Sequence, residues 1–137
     1  MKRAIKTPAF LGPDGEVVPG SIAEASYVRL GGLDQWVMIR GENLANPPLI
    51  HLHGGPGFSE TRLLRHFSAE LEKRFTVVYW DQRGAGRSFD PSIAESSMRV
   101  DQFIADLDEL IEMVCARVGQ AQVAIHGHSW GSALGVL

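Results

Sequence analysis

The chain has 137 residues, 45% of them hydrophobic, and 13 lysines and arginines against 16 aspartates and glutamates give a formal charge of -3. This is the length and composition of one folded domain, which sets aside intrinsic disorder; with no basic run beyond Met1-Lys2-Arg3, it also sets aside nucleic acid as a partner. No apolar run approaches the roughly 20 residues that span a bilayer, Lys6, Pro8, Pro13 and Asp14 interrupt any signal-peptide stretch, and Cys115 has no second cysteine to pair with, so a cytoplasmic protein without membrane contact is expected.

Along the chain, residues 1–25 read as a turn-rich arm, because LGPDGEVVPG is punctuated by glycine and proline, and residues 26–137 read as the structured core. SYVRLGG and QWVMIRG are β-type segments that pair antiparallel across Gly31-Gly32-Leu33-Asp34. NPPLIHLHGGPG is a buried strand running into a glycine loop. From Glu60 to Lys73, the spacing of Leu63, Leu64, Phe67 and Leu71 predicts a helix with Ser59 as its N-cap. RFTVVYWDQRG is the next buried strand. Val100, Phe103, Ile104, Leu107, Leu110, Ile111, Val114, Cys115 and Val118 then fall on one helical stripe, capped by Ser97 and stopped by Gly119. QVAIHG is a third buried strand, and another helix begins at Ser129. A hairpin followed by β, α, β, α, β, α predicts an α/β fold with a mostly parallel sheet and flanking helices.

In such a sheet, ligands collect beyond the carboxyl ends of the parallel strands. Three glycine-rich loops fall there: HGGPG, DQRGAGRS and GHSWG. Gly127-His128-Ser129-Trp130-Gly131 is GxSxG between a strand and a helix, the setting of a nucleophile elbow. Side chains two residues either side of the serine would collide with the neighbouring strand and helix, hence the two glycines. Ser129 is therefore the candidate nucleophile. An acyl-transfer intermediate also needs donors for its oxyanion, and the backbone N–H groups of Gly55 and Trp130 are the candidates, with Gly54 the alternative to Gly55. His53 and Gly54 are candidates for substrate contact, and His53 is also expected to brace the loop. Asp81 and Arg83 are expected to pair and brace theirs.

The loops do not fit other chemistries. GxGxxG fails at Phe89 and no GKS or GKT occurs, so no nucleotide cofactor is expected. The HxH pairs His51/His53 and His126/His128 place i and i+2 on one side of a strand, but a catalytic zinc takes three protein ligands and no HExxH or nearby acidic ligand supplies the rest. No metal is expected. His51 and His126 read instead as hydrogen-bonded core or near-core histidines.

HGGPG at 53–57, DQRGAGRS at 81–88 and GHSWGS at 127–132, in this order, resemble the proline iminopeptidase family of α/β-hydrolases, over Ser26 to Leu137. The resemblance implies a serine hydrolase with a Ser, Asp, His triad and a helical cap, releasing N-terminal proline or cleaving related small amides in small-molecule or peptide substrates. An esterase is the alternative. In that superfamily the acid and the histidine follow the serine, whereas WGSALGVL after Ser129 contains neither. The chain thus reads as the N-terminal half of an enzyme, inactive alone, or as a non-catalytic, partner-dependent fragment. In the implied sheet order the strand Val123–His126 is central, so here it becomes an open edge, and self-association or a complementing chain is expected through it.

Overall fold

Two consecutive glycines close the first hairpin. In the computed structural model, which describes residues 6–137, β1 (Ile22–Leu30) and β2 (Leu33–Gly41) pair antiparallel from Leu30 opposite Leu33. Between them Gly31 and Gly32 hold φ of 51° and 76°, the two positive values that a type I′ turn demands. The basic start at Met1-Lys2-Arg3 lies outside the described residues. β1 begins earlier than expected, so the boundary drawn after residue 25 falls inside it. Ala23, Ala25 and Ser26 give little apolar signal, but Ile22 is buried and pairs with Gly41. The arm itself is tied to the sheet. Arg40 donates to the Thr7 hydroxyl and the Pro8 carbonyl and stacks over the Phe10 ring at 4.5 Å.

β3 (Pro48–Leu52), β4 (Thr76–Asp81) and β5 (Ala124–Gly127) complete a five-stranded sheet of order β1-β2-β4-β3-β5. β3 runs parallel to both β4 and β5, while β2 meets β4 antiparallel. The sheet is therefore mixed, half antiparallel by its junctions, rather than mostly parallel. β5 lies at one end of the order with its other edge unpaired, and Ile125 is exposed on it.

One face of the sheet is covered by α2 (Val100–Val118), whose Phe103, Leu107, Leu110, Val114 and Val118 pack on Val37, Ile39, Ile50, Leu52, Val78 and Trp80. This is the predicted stripe except for Val100, which is exposed at the helix start, and Gly119 ends it at φ 70° as predicted. Ser97 does not cap it. Arg99 holds the cap position without a side-chain capping hydrogen bond, and the Ser97 hydroxyl donates to the Ala94 carbonyl while accepting from Arg83. On the other face Trp36, Met38, Val77 and Tyr79 lie beneath Leu64, Leu71 and Phe75. The helix predicted over 60–73 is two pieces, α1 (Thr61–Phe67) and a 3-10 turn at Ala69–Lys73. Only half its stripe packs on the sheet: Leu64 and Leu71 are half-buried against it, whereas Leu63 and Phe67 are exposed. Ser59 is not its cap either, because its hydroxyl donates to Asp81. Among the described residues no helix is long and apolar enough to cross a membrane.

Candidate active site

The chain leaves β5 at Gly127, turns through His128 and Ser129, and enters α3 (Trp130–Leu134). Ser129 stands at the turn with φ 52° and ψ −116°; among the described residues it alone, other than glycine, has a positive φ. Such a conformation costs an L residue about 1–3 kcal/mol, so the surroundings must impose it. They do so through the two glycines. A Cβ on Gly127 would lie 2.5 Å from the Gly131 carbonyl oxygen, and one on Gly131 would lie 2.0 Å from the Leu52 carbonyl oxygen. Neither glycine has positive φ, so both are required by close approach and not by backbone freedom. The elbow is thereby pressed onto β3, and the His128 amide donates to the Leu52 carbonyl at 3.1 Å. Ser129 itself is exposed.

The three glycine-rich loops do converge, and Gln82 joins them. Its side-chain amide donates to the His53 carbonyl at 3.1 Å, its side-chain oxygen accepts from Trp130 Nε1 at 3.0 Å, and its backbone N–H donates to His53 Nε2 at 3.0 Å. His53 Nδ1 completes the lock by donating to the Gly54 carbonyl at 2.8 Å. With both ring nitrogens engaged and 1% exposure, His53 has no group to offer a substrate and acts as the brace. Gly54 lies directly over the elbow: a Cβ there would be 3.3 Å from Ser129 Cβ. Gln82 has no sequence signature, since a glutamine in a charged loop reads as solvated.

Asp81 and Arg83 both brace the second loop, but not through each other. Asp81 accepts from the Ser59 and Thr61 hydroxyls and from the Arg87 amide. Arg83 turns beneath the loop to form a two-point pair with Asp106 of α2, at 2.9 and 2.8 Å, and also donates to the Gly31 carbonyl. Gln35 and Gln102 donate to the same carboxylate. The sequence offered Asp81 as the nearest acid, but the helix crossing under the sheet brings a different one.

The two HxH pairs also separate. β3 ends at Leu52, so His53 lies past the alternation of the strand and does not share a side with His51. His51 is buried and hydrogen-bonded as expected, whereas His126, expected near the core, is exposed because β5 is an edge strand. Among the described residues no group of three metal-ligating side chains is placed to hold an ion. His51 Nε2 instead meets a Glu60 carboxylate oxygen at 3.1 Å, and His128 Nδ1 meets the other at 2.6 Å. Glu60 was not singled out by the sequence. Leu63, Phe67 and His126 line an open cavity of about 330 Å³ beside this cluster.

Burial pushes the imidazolium forms of His51 and His53 below the ordinary 6.5, more than their acidic neighbours and hydrogen bonds restore. The unfolded chain therefore binds more protons than the folded one as pH falls past 6.5. The stability these two neutral rings contribute is complete above that value and is lost as pH falls through their folded values. The urea midpoint is expected to be lower at pH 5.5 than at pH 7.5; an equal or higher midpoint at pH 5.5 would contradict the burial of neutral rings.

Residues 47–137 match the family model described as the α/β hydrolase fold. A probable aminopeptidase of Bacillus subtilis, YbaC, is 41% identical over 114 residues, covering 83% of this chain and 36% of the relative. A proline iminopeptidase of Saccharolobus solfataricus is 33% identical over 114 residues, covering 82% of this chain and 35% of the relative. Among solved structures, a proline iminopeptidase-related protein of Thermus thermophilus superposes with a TM-score of 0.71 at 30% identity, over 84% of this chain and 39% of that one. The chain thus spans about a third of the length of the curated relatives it matches.

Proposed function

Because the chain belongs to the α/β-hydrolase-fold family, we propose that it carries the nucleophile and the oxyanion donors of a serine hydrolase of the proline iminopeptidase type. The observation that supports this most directly is the strained, exposed Ser129 between two glycines that tolerate no side chain. In the proposed reaction Ser129 Oγ attacks the carbonyl of an N-terminal prolyl or related small amide. The oxyanion receives the Trp130 and Gly55 amides, the amine leaves, and water releases the acyl group. Trp130 is the first residue of α3, where a backbone N–H has no acceptor within the helix. Gly54 is the alternative to Gly55.

Among the described residues no imidazole or carboxylate is hydrogen-bonded to the Ser129 hydroxyl, so in this proposal the base and its acid come from polypeptide outside them. The groups that select proline come from there as well. The unpaired edge of β5 is the surface we assign to pairing with a further strand.

A chimera joining these 137 residues to the remaining two thirds of the Bacillus subtilis relative tests the proposal. A fluorophosphonate is expected to label it at Ser129, located by peptide mass spectrometry, and it is expected to release proline from an arylamide faster than it cleaves a short acyl ester. The opposite preference would make it an esterase. A folded chimera labelled elsewhere or not at all would refute the nucleophile.

A further inference from the structure

The HxH pairs have no part in the proposed chemistry, yet one histidine from each arrives at the same carboxylate. Glu60 precedes α1 and is 12% exposed at its side chain. It accepts from His128 Nδ1 at 2.6 Å with one oxygen and from His51 Nε2 at 3.1 Å with the other. Those two donors belong to separate segments, the nucleophile elbow and strand β3. We infer that Glu60 is a positioning residue, a carboxylate clamp that holds the nucleophile elbow in register against β3.

The chemistry of the donors makes the clamp directional. A carboxylate only accepts, so His128 must carry its proton on Nδ1 and His51 on Nε2. His51 Nδ1 is then free to accept from His126 Nδ1, 2.9 Å away, and each hydrogen bond of the row has one donor and one acceptor. Burial alone would push the Glu60 carboxyl up, but the hydrogen bonds from His128 and His51 outweigh it and hold the group below its ordinary 4.5. The clamp is therefore ionised wherever the fold persists near neutrality. A glutamine in its place has one acceptor oxygen and an NH₂ that would face a ring N–H, so it cannot hold both histidines in these tautomers. Ser129 follows His128 directly, so a shift of the elbow alters the spacing between nucleophile and oxyanion donors.

This inference rests on the proposed nucleophile only for its consequence in catalysis, and the two are separable. In the 137-residue chain, NMR of the imidazole nitrogens is expected to show His128 as the Nδ1–H tautomer, changing to Nε2–H in Glu60→Gln. Amide exchange at His128, whose N–H bonds to Leu52, is expected to rise at least tenfold in the same variant. His128→Asn keeps a side-chain N–H close to the position of Nδ1 and is expected to retain slow exchange of the residue-128 amide, while His128→Leu loses it. In the chimera, Glu60→Gln is expected to slow fluorophosphonate labelling of Ser129 at least tenfold. An unchanged tautomer with unchanged exchange at His128 would overturn the clamp, and so would unaltered labelling in a chimera that does label. A wild-type chimera that is not labelled would refute the nucleophile instead, leaving tautomer and exchange to decide the clamp.

Discussion

Asp106→Ala is expected to destabilise the chain by about 3–5 kcal/mol, the range found when one partner of a buried ion pair is removed. The guanidinium of Arg83 is 2% exposed and its partner 0%. Arginine cannot discharge itself by losing a proton, so without Asp106 a charge remains buried beneath the DQRG loop. Gln102 loses its acceptor at the same time, and Gln35 keeps only the Leu30 carbonyl. A small domain has only about 5–15 kcal/mol in total, so most of the folded population is at risk. The consequence reaches the site, since Arg83 adjoins Gln82, the residue that ties the three loops. Equilibrium urea unfolding followed by circular dichroism measures the change. Asp101→Ala, which breaks the exposed pair with Arg99, is the control and should be silent. If the two variants behave alike, the Arg83–Asp106 pair does not anchor the loop. Arg83→Met combined with Asp106→Leu should recover much of the loss, because removing both charges removes the desolvation cost as well.

Gly131→Ala is expected to cost about 1–3 kcal/mol or more and to disable the elbow, although alanine is otherwise the better helix former. The added methyl would stand 2.0 Å from the Leu52 carbonyl oxygen and 2.6 Å from its carbon. Both are backbone atoms of a central strand and cannot swing aside. Relief requires α3 to lift from β3, which carries Ser129 out of its strained turn and away from Gly54. The same urea titration gives the stability change, and labelling of Ser129 in the chimera gives the functional one. Unimpaired labelling in Gly131→Ala would show that the turn is held by something other than this contact. Gly119→Ala is a useful contrast, since that position has open space around it and only its positive φ favours glycine.

These two variants also divide what could be read in one dimension from what could not. The elbow was readable because its constraint is local: glycines two residues either side of a serine, after an apolar strand, record a close approach that the backbone makes wherever that turn is built. The long helix was readable for the same reason, since nine apolar residues at helical spacing need no knowledge of what they pack against. In the helix over 60–73 periodicity promises burial for Leu63 and Phe67, but both are exposed beside an open cavity.

By itself, then, the sequence determined the glycine-bounded serine, the antiparallel hairpin and most of the α2 stripe, because sterics and side-chain periodicity act between near neighbours; the two-residue turn at Gly31-Gly32, with Leu33 and Asp34 inside β2, came from the structure. Only the tertiary structure decided the pairing of the polar groups. Asp106 lies 23 residues from Arg83 and His128 lies 68 from Glu60, and nothing in their local patterns distinguishes them from other acids and histidines. Any opposite charge or free donor can satisfy a carboxylate once it is near. Which one is near follows from the order β1-β2-β4-β3-β5 and from the helix that crosses beneath it.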